Sequence, residues 1–243
     1  MCINLVKNKA RMNLLHTVSV ISLVTGAVCM LIILFDIIAG HAQKMWIMNI
    51  VWPVTALYGG PLVLITYCKI GRKSAKINNK NDSKLHQHAH NNKQQKPFWQ
   101  SVLVGTLHCG SGCTLGDIIA EFGLLLFPFA VFGSKLYGSW VIDYLFAFGI
   151  GIIFQYYAIR PMKQLSASKA IIAALKADTL SLTFWQVGMY GWMAVSTFVI
   201  FHRRLEATGV LFWFMMQIAM LLGFLTAYPI NWWLIKSKIK EAM

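Results

Sequence analysis

Acidic residues are scarce in this chain, eight Asp and Glu against 22 Lys and Arg among 243 residues, and charged residues of both signs amount to only 12%. Soluble domains carry roughly 25% charged residues. With 57% of its residues hydrophobic, the chain has more apolar surface than a water-soluble core can hide. It has no Cys-x-x-Cys motif, and its five cysteines, Cys2, Cys29, Cys68, Cys109 and Cys113, fall mostly inside or beside apolar stretches, which argues against a secreted disulfide framework. The short alternating segments of a membrane barrel are lacking as well. A net charge of +14 does not point to nucleic acid, because the basic residues are divided among short segments between apolar runs, as membrane orientation requires. No nucleic-acid partner is expected.

What is present in quantity is long apolar sequence. Crossing about 30 Å of hydrocarbon at about 1.5 Å per residue takes roughly 20 residues of helix. Six stretches are long enough: Leu15 to Ala39, Trp46 to Cys68, Phe98 to Phe132, Ser139 to Ile159, Leu180 to Phe201, and Gly209 to Ile235. Backbone amides have no water to bond in lipid, so the expected fold is an all-α, polytopic transmembrane helical bundle of six spans, with the bilayer of the inner (plasma) membrane as its solvent. The basic start from Met1 to Arg11 precedes an apolar run without a small-residue cleavage site, which reads as an uncleaved first span rather than a signal peptide. Placing the N- and C-termini in the cytoplasm puts eighteen basic residues inside and leaves Lys44, Lys135, Arg203 and Arg204 outside, in keeping with the positive-inside rule.

The same reading divides the chain into an N-terminal pair of transmembrane helices over 1–68, a basic, His-rich cytoplasmic linker over 69–97, and a core of four spans over 98–243. A short interfacial helix is expected near 166–177, with Ser166 as a cap and Ile171, Ile172 and Leu175 opposing Lys169 and Lys176. The third apolar stretch is too long for one straight crossing, since 35 residues of helix would measure about 52 Å. It must tilt, protrude or break, and both its glycine cluster (Gly105, Gly110, Gly112, Gly116) and Pro128 are candidate break points.

That stretch carries the strongest candidate site. On a helix, Cys109, Cys113, Asp117 and Glu121 follow one another at i, i+4 spacing and form a single stripe, with His108 beside it. Polar side chains in hydrocarbon are costly and face a bundle interior or a wet cavity. Two thiols, an imidazole and carboxylates suit copper(I) or zinc as ligand types, and either metal ion is the expected cofactor or cargo. The competing interpretations are packing, with the cysteines and glycines serving as small residues that let helices approach closely, and a proton or substrate relay, with Asp117 and Glu121 as proton carriers. On the linker, His86, His88 and His90 form an auxiliary metal-capture cluster or a plain solvated segment. The methionines Met189, Met193, Met215, Met216 and Met220 read as packing, and Asp178 as a helix N-cap.

The run from His108 to Asp117, the segment from Ala174 to Leu182, the run from Trp185 to Gly191, and the ending from Tyr228 to Leu234 with Lys240-Glu241-Ala242-Met243 resemble a bacterial membrane family catalogued only as domain of unknown function 4396. The resemblance covers about residues 98–243 and implies that the four C-terminal spans form the core unit, with residues 1–96 an addition. Some members of that family resemble, by label or by fused domains, proteins of copper handling, which implies copper among the candidate metals.

These observations point to binding or transport of a transition metal rather than to catalysis, and no catalytic residue is identified. A cation-diffusion facilitator would share six spans and a His-rich loop, but its paired His/Asp helix motifs are absent. Two alternatives remain open: a membrane dithiol oxidoreductase, for which Cys-x-x-x-Cys is one residue too long, and an assembly or sensory subunit acting in a homo-oligomer or beside a partner membrane subunit.

Overall fold

The structure, a computed structural model, describes residues 2–75, 97–163 and 166–241, and the His86/His88/His90 cluster lies outside them. Its elements are α1 (Cys2–Ile38), α2 (Met48–Thr66), α3 (Phe98–Leu126), α4 (Lys135–Lys163), α5 (Ala167–Ala194) and α6 (Val210–Lys236). Wider π-helical turns extend α2 over Tyr67–Gly71 and α5 over Val195–Ile200. Among the described residues the only β pairing consists of two isolated bridges, so the expected all-α class holds.

Large apolar side chains face outward along the helices, Phe35, Ile38, Leu126 and Phe127 among them. In water such a surface would be an aggregation liability; against lipid tails it is the normal exterior. Among the described residues, five helical segments have the length and apolar composition to cross a membrane: Ala10–Ile38, Met48–Gly71, Phe98–Leu126, Lys135–Arg160 and Val210–Lys236. The chain is therefore a multi-pass membrane protein. α5, expected as the fifth span, is equally long but less apolar, because it carries Asp178, Ser181 and Gln186, all buried against its neighbours.

Three expectations change on contact with the structure. The over-long third stretch breaks at the proline and not at the glycines: α3 stops at Leu126, and Phe127 leaves helical geometry (φ −127°, ψ 80°) ahead of Pro128. A residue preceding proline is pushed out of the α region, and proline has no N–H to continue the ladder. The short helix expected near 166–177 is the beginning of α5, continuous with it, since no Gly or Pro interrupts the segment. Ser166 occupies the N-cap position without a capping side-chain bond. Lastly, the stretch from Trp46 to Cys68 is not one rod. Gly60 takes φ 50° and ψ −130°, a backbone open to glycine, and Pro61 follows it. The chain reverses there, so that Tyr67 packs edge-on against Trp52 with ring centroids 5.6 Å apart. A straight helix would separate those two residues by more than 20 Å.

α3 is the axis of the C-terminal bundle, and its glycines explain how its neighbours come so close. Gly112 and Gly116 are one turn apart on one face and meet Gly151 and Ala147, also one turn apart, on antiparallel α4. This reciprocal small-residue packing brings two backbones into van der Waals contact. On another face, Gly110 leaves room for the ring of Trp185 from α5, and Gly188 of α5 lies against Gly223 of α6. α5 and α6 are also tied by Thr226, which donates to the Phe184 carbonyl at 2.7 Å. A Cβ at Gly116 would collide with the Ala147 backbone, an obstacle no rotamer change can relieve. We expect Gly116→Leu to lose stability at the upper end of the usual overpacking range of about 1–3 kcal/mol. Gly123→Leu, where a Cβ meets nothing within 4 Å, should leave the protein near wild type. Thermal unfolding in detergent checks the pair.

Candidate functional site

Helical periodicity lays the stripe of α3 along the interior of the bundle. His108, Cys113 and Asp117 are fully buried, Cys109 is 1% exposed and Glu121 4%. Buried hydroxyls on the same helix satisfy themselves locally: Thr106 donates to Val102 O, Ser111 to His108 O and Thr114 to Gly110 O. The stripe residues cannot all do this, so the bundle supplies partners for some of them.

Near the start of α3, Cys109 Sγ accepts from Ser181 Oγ of α5 at 3.3 Å, and Ser181 in turn accepts from Asn231 Nδ2 of α6 at 2.7 Å. Cys109 and Cys113 are both free thiols within one apolar cluster with Leu182, Trp185 and Tyr58. Both thiols are enclosed by the bundle and lie beside each other. One turn further, both carboxyl oxygens of Asp117 are buried, with the Gln186 side chain of α5 beside them. Asp117 lines a cavity of about 310 Å³ together with Tyr58, Thr114, Met216, Gln217 and Met220. Glu121 then faces Asp143 of α4, beside Tyr190, Met193 and Arg204. It also reaches a pocket of about 190 Å³ formed with Pro128, Lys135, Arg204 and Glu206. The polar groups thus run in sequence from a charged mouth at the end of α3 into the middle of the bundle.

His108 does not join them. Its ring lies 6.0 Å from that of Phe154 on α4, against the Phe154 backbone. From His108 to Glu121 the helix rises about 20 Å, so the five expected ligands are spread along an axis instead of gathered around a point. Accordingly, the described residues contain no group of three or more His, Cys, Asp or Glu placed to hold one metal ion. The donors nearest to one another in kind are the two thiols.

The family model for the domain of unknown function DUF4396 matches residues 98–240. The chain belongs to that family. No curated protein and no solved structure matches it. The DUF4396 region runs from the start of α3 to Lys240, so it contains every residue of the stripe and its Ser181 and Asn231 partners, while α1 and α2 precede it.

The last residue matched also ends the track. Past α6 the chain turns back through Lys238 (φ 58°), and the Ile239 and Lys240 amides both donate to Leu234 O. This carries Lys240 inward, where Nζ lies 2.8 Å from Asp178 Oδ1 with both side chains completely buried. Asp178 is therefore no N-cap: α5 begins eleven residues earlier, at Ala167, and the acid sits inside the helix as half of an ion pair. Sequence inspection passed over this pair, since nothing local marks two residues 62 positions apart as partners.

Burial pulls the Lys240 amine down, but the Asp178 carboxylate beside it more than offsets that and holds it above its ordinary value. A raised lysine stabilises the fold fully below the unfolded-state pKa, and that contribution disappears as pH climbs through the folded-state value. Removing one partner of a buried pair costs about 3–5 kcal/mol, whereas removing both costs much less. Lys240→Met should thus lower the melting temperature sharply in detergent, Asp178→Asn in the same chain should restore most of it, and the pH-dependent loss above the lysine range should vanish in the double variant.

Proposed function

We propose that this protein moves copper(I) across the inner membrane, with Cys109 and Cys113 as the binding point inside the bundle. The observation that carries this reading is the pair of buried free thiols, one turn apart on the helix that also aligns Asp117 and Glu121 toward the charged mouth. Thiolates favour soft monovalent copper, and two of them are enough to hold it. Zinc is the weaker half of the sequence expectation, because it asks for four donors in a tetrahedron and the described residues gather no three.

A thiol must lose its proton to bind metal, so loading and release are coupled to proton movement. Asp117, beside Gln186 and the cavity, is placed to take up those protons, and Glu121 with Asp143 to pass them toward the mouth. Ser181, held by Asn231, hydrogen-bonds the Cys109 sulfur and orients it. In this scheme His86, His88 and His90 collect metal on the linker before it reaches the bundle.

Protein purified without chelator and offered copper under reducing conditions should bind it stoichiometrically. The Cys109→Ser, Cys113→Ser double variant should remain folded yet lose the copper, because oxygen replaces thiolate poorly toward a soft metal. Asp117→Asn should still bind copper but lose the pH dependence of its uptake into vesicles. Wild-type protein that takes up none by elemental analysis would falsify the copper assignment, and a double variant that keeps its copper would move the site elsewhere.

A further inference from the structure

Which helix ends share a side of the bundle can be read from side-chain contacts, and they give α2 a role its length conceals. α1 and α6 run parallel: Ser22 donates to Gln217 Oε1 at 2.8 Å, early in α6. Further along α1, Cys29, Ile33 and Ile37 cluster with Val104 and Leu107. Those two residues flank Gly105, the neighbour of Ile235 at the close of α6. The start of α1 and Lys240 therefore lie at opposite ends of the molecule.

Residues on either side of α2, in contrast, lie at one end. Tyr67 donates to Asp36 Oδ2 at 2.7 Å, Arg72 pairs with Asp36 Oδ1 at 3.3 Å, and Gln43 forms a bridge with Ala75. Trp46 packs against Tyr157, near the last turns of α4, with ring centroids 5.2 Å apart. The first half of α2, Met48 to Gly59, spans about 18 Å, little more than half of a hydrocarbon core about 30 Å thick. Its tip is caught inside the bundle, where Gln217 Nε2 donates to the Leu57 carbonyl at 2.6 Å and Gly26, near the middle of the Ala10–Ile38 segment of α1, lies against the same carbonyl.

We infer that α2 is a re-entrant hairpin: it enters and leaves the membrane on one side, and the chain crosses through α1, α3, α4, α5 and α6, with its two termini on opposite sides. Charge agrees with this path. Among the described residues, Lys44, Lys69, Arg72, Lys73, Arg160, Lys163, Lys169, Lys176, Lys236, Lys238 and Lys240 gather at one end, eleven basic residues against six at the other, which makes that end cytoplasmic and the N-terminus external. Interrupted backbone at membrane depth is tolerated where protein encloses it or a cavity borders it, and both hold here. Leu57 and Tyr58 at the tip form one wall of the Asp117 cavity. The segment ahead of the DUF4396 region thus completes the candidate site, a conclusion independent of which cargo the site takes.

The test is labelling with a membrane-impermeant maleimide in spheroplasts, using a chain in which Cys2 and Cys68 are serine and the buried Cys29, Cys109 and Cys113 are kept. Lys44→Cys and Asn91→Cys, on the two sides of α2, should both be unlabelled in intact spheroplasts and both labelled after permeabilisation. Asn8→Cys should be labelled in intact spheroplasts. If positions 44 and 91 behave oppositely, or positions 8 and 91 alike, α2 crosses the membrane and the hairpin assignment is overturned. Size-exclusion profiles of the three variants, compared with wild type, confirm that the labelled chains are folded.

Discussion

A polar atom inside hydrocarbon must find its partner within the protein, and that requirement organises this molecule around α3. The helix carries two thiols, an imidazole, two carboxyls and several hydroxyls along a length that would otherwise face lipid. Four other helices close around it, and the enclosure is graded. Hydroxyls bond their own helix, Cys109 is reached by the Ser181–Asn231 relay, Asp178 is neutralised by Lys240, and Asp117 lies beside Gln186 and a cavity. A carboxyl enclosed with only neutral neighbours is costly in a purely structural helix and useful in one that must receive a proton or a cation.

Packing and chemistry use different faces of the same helix. The close approach of α3 to α4 rests on Gly112 and Gly116 against Gly151 and Ala147, whereas the thiols look toward α5 and its neighbours. The cysteines are therefore not needed to bring backbones together. Because glycine fills the small-residue role at the α3–α4 contact, this separation favours the chemical role proposed for the thiols.

Periodicity and length made most of the helices legible, along with the buried stripe. Pro128 was a readable stop because the restriction it places on Phe127 is local. What escaped were features defined across the chain. Asp178 looked like a helix start because the apolar run begins after it, but α5 opens in more polar sequence whose burial only the neighbouring helices reveal. The Gly59-Gly60-Pro61 run was a visible signal, yet hydropathy averages over it and reports one apolar stretch. His108 was grouped with the thiols because it adjoins them in sequence, while a step of one residue turns a side chain by about 100° around the axis.

The Asp178–Lys240 pair also has a history during synthesis. Sixty-two positions separate the two residues, and ribosomes add about 5–20 per second, so the acid is made roughly 3–12 s before its lysine. α5, the least apolar of the long helices, must therefore wait at or in the membrane with an unmatched carboxyl until α6 has been made and the chain has turned back. For those seconds the insertion machinery handles a half-built bundle, and anything that delays the arrival of α6 prolongs the time in which quality-control proteases can recognise it.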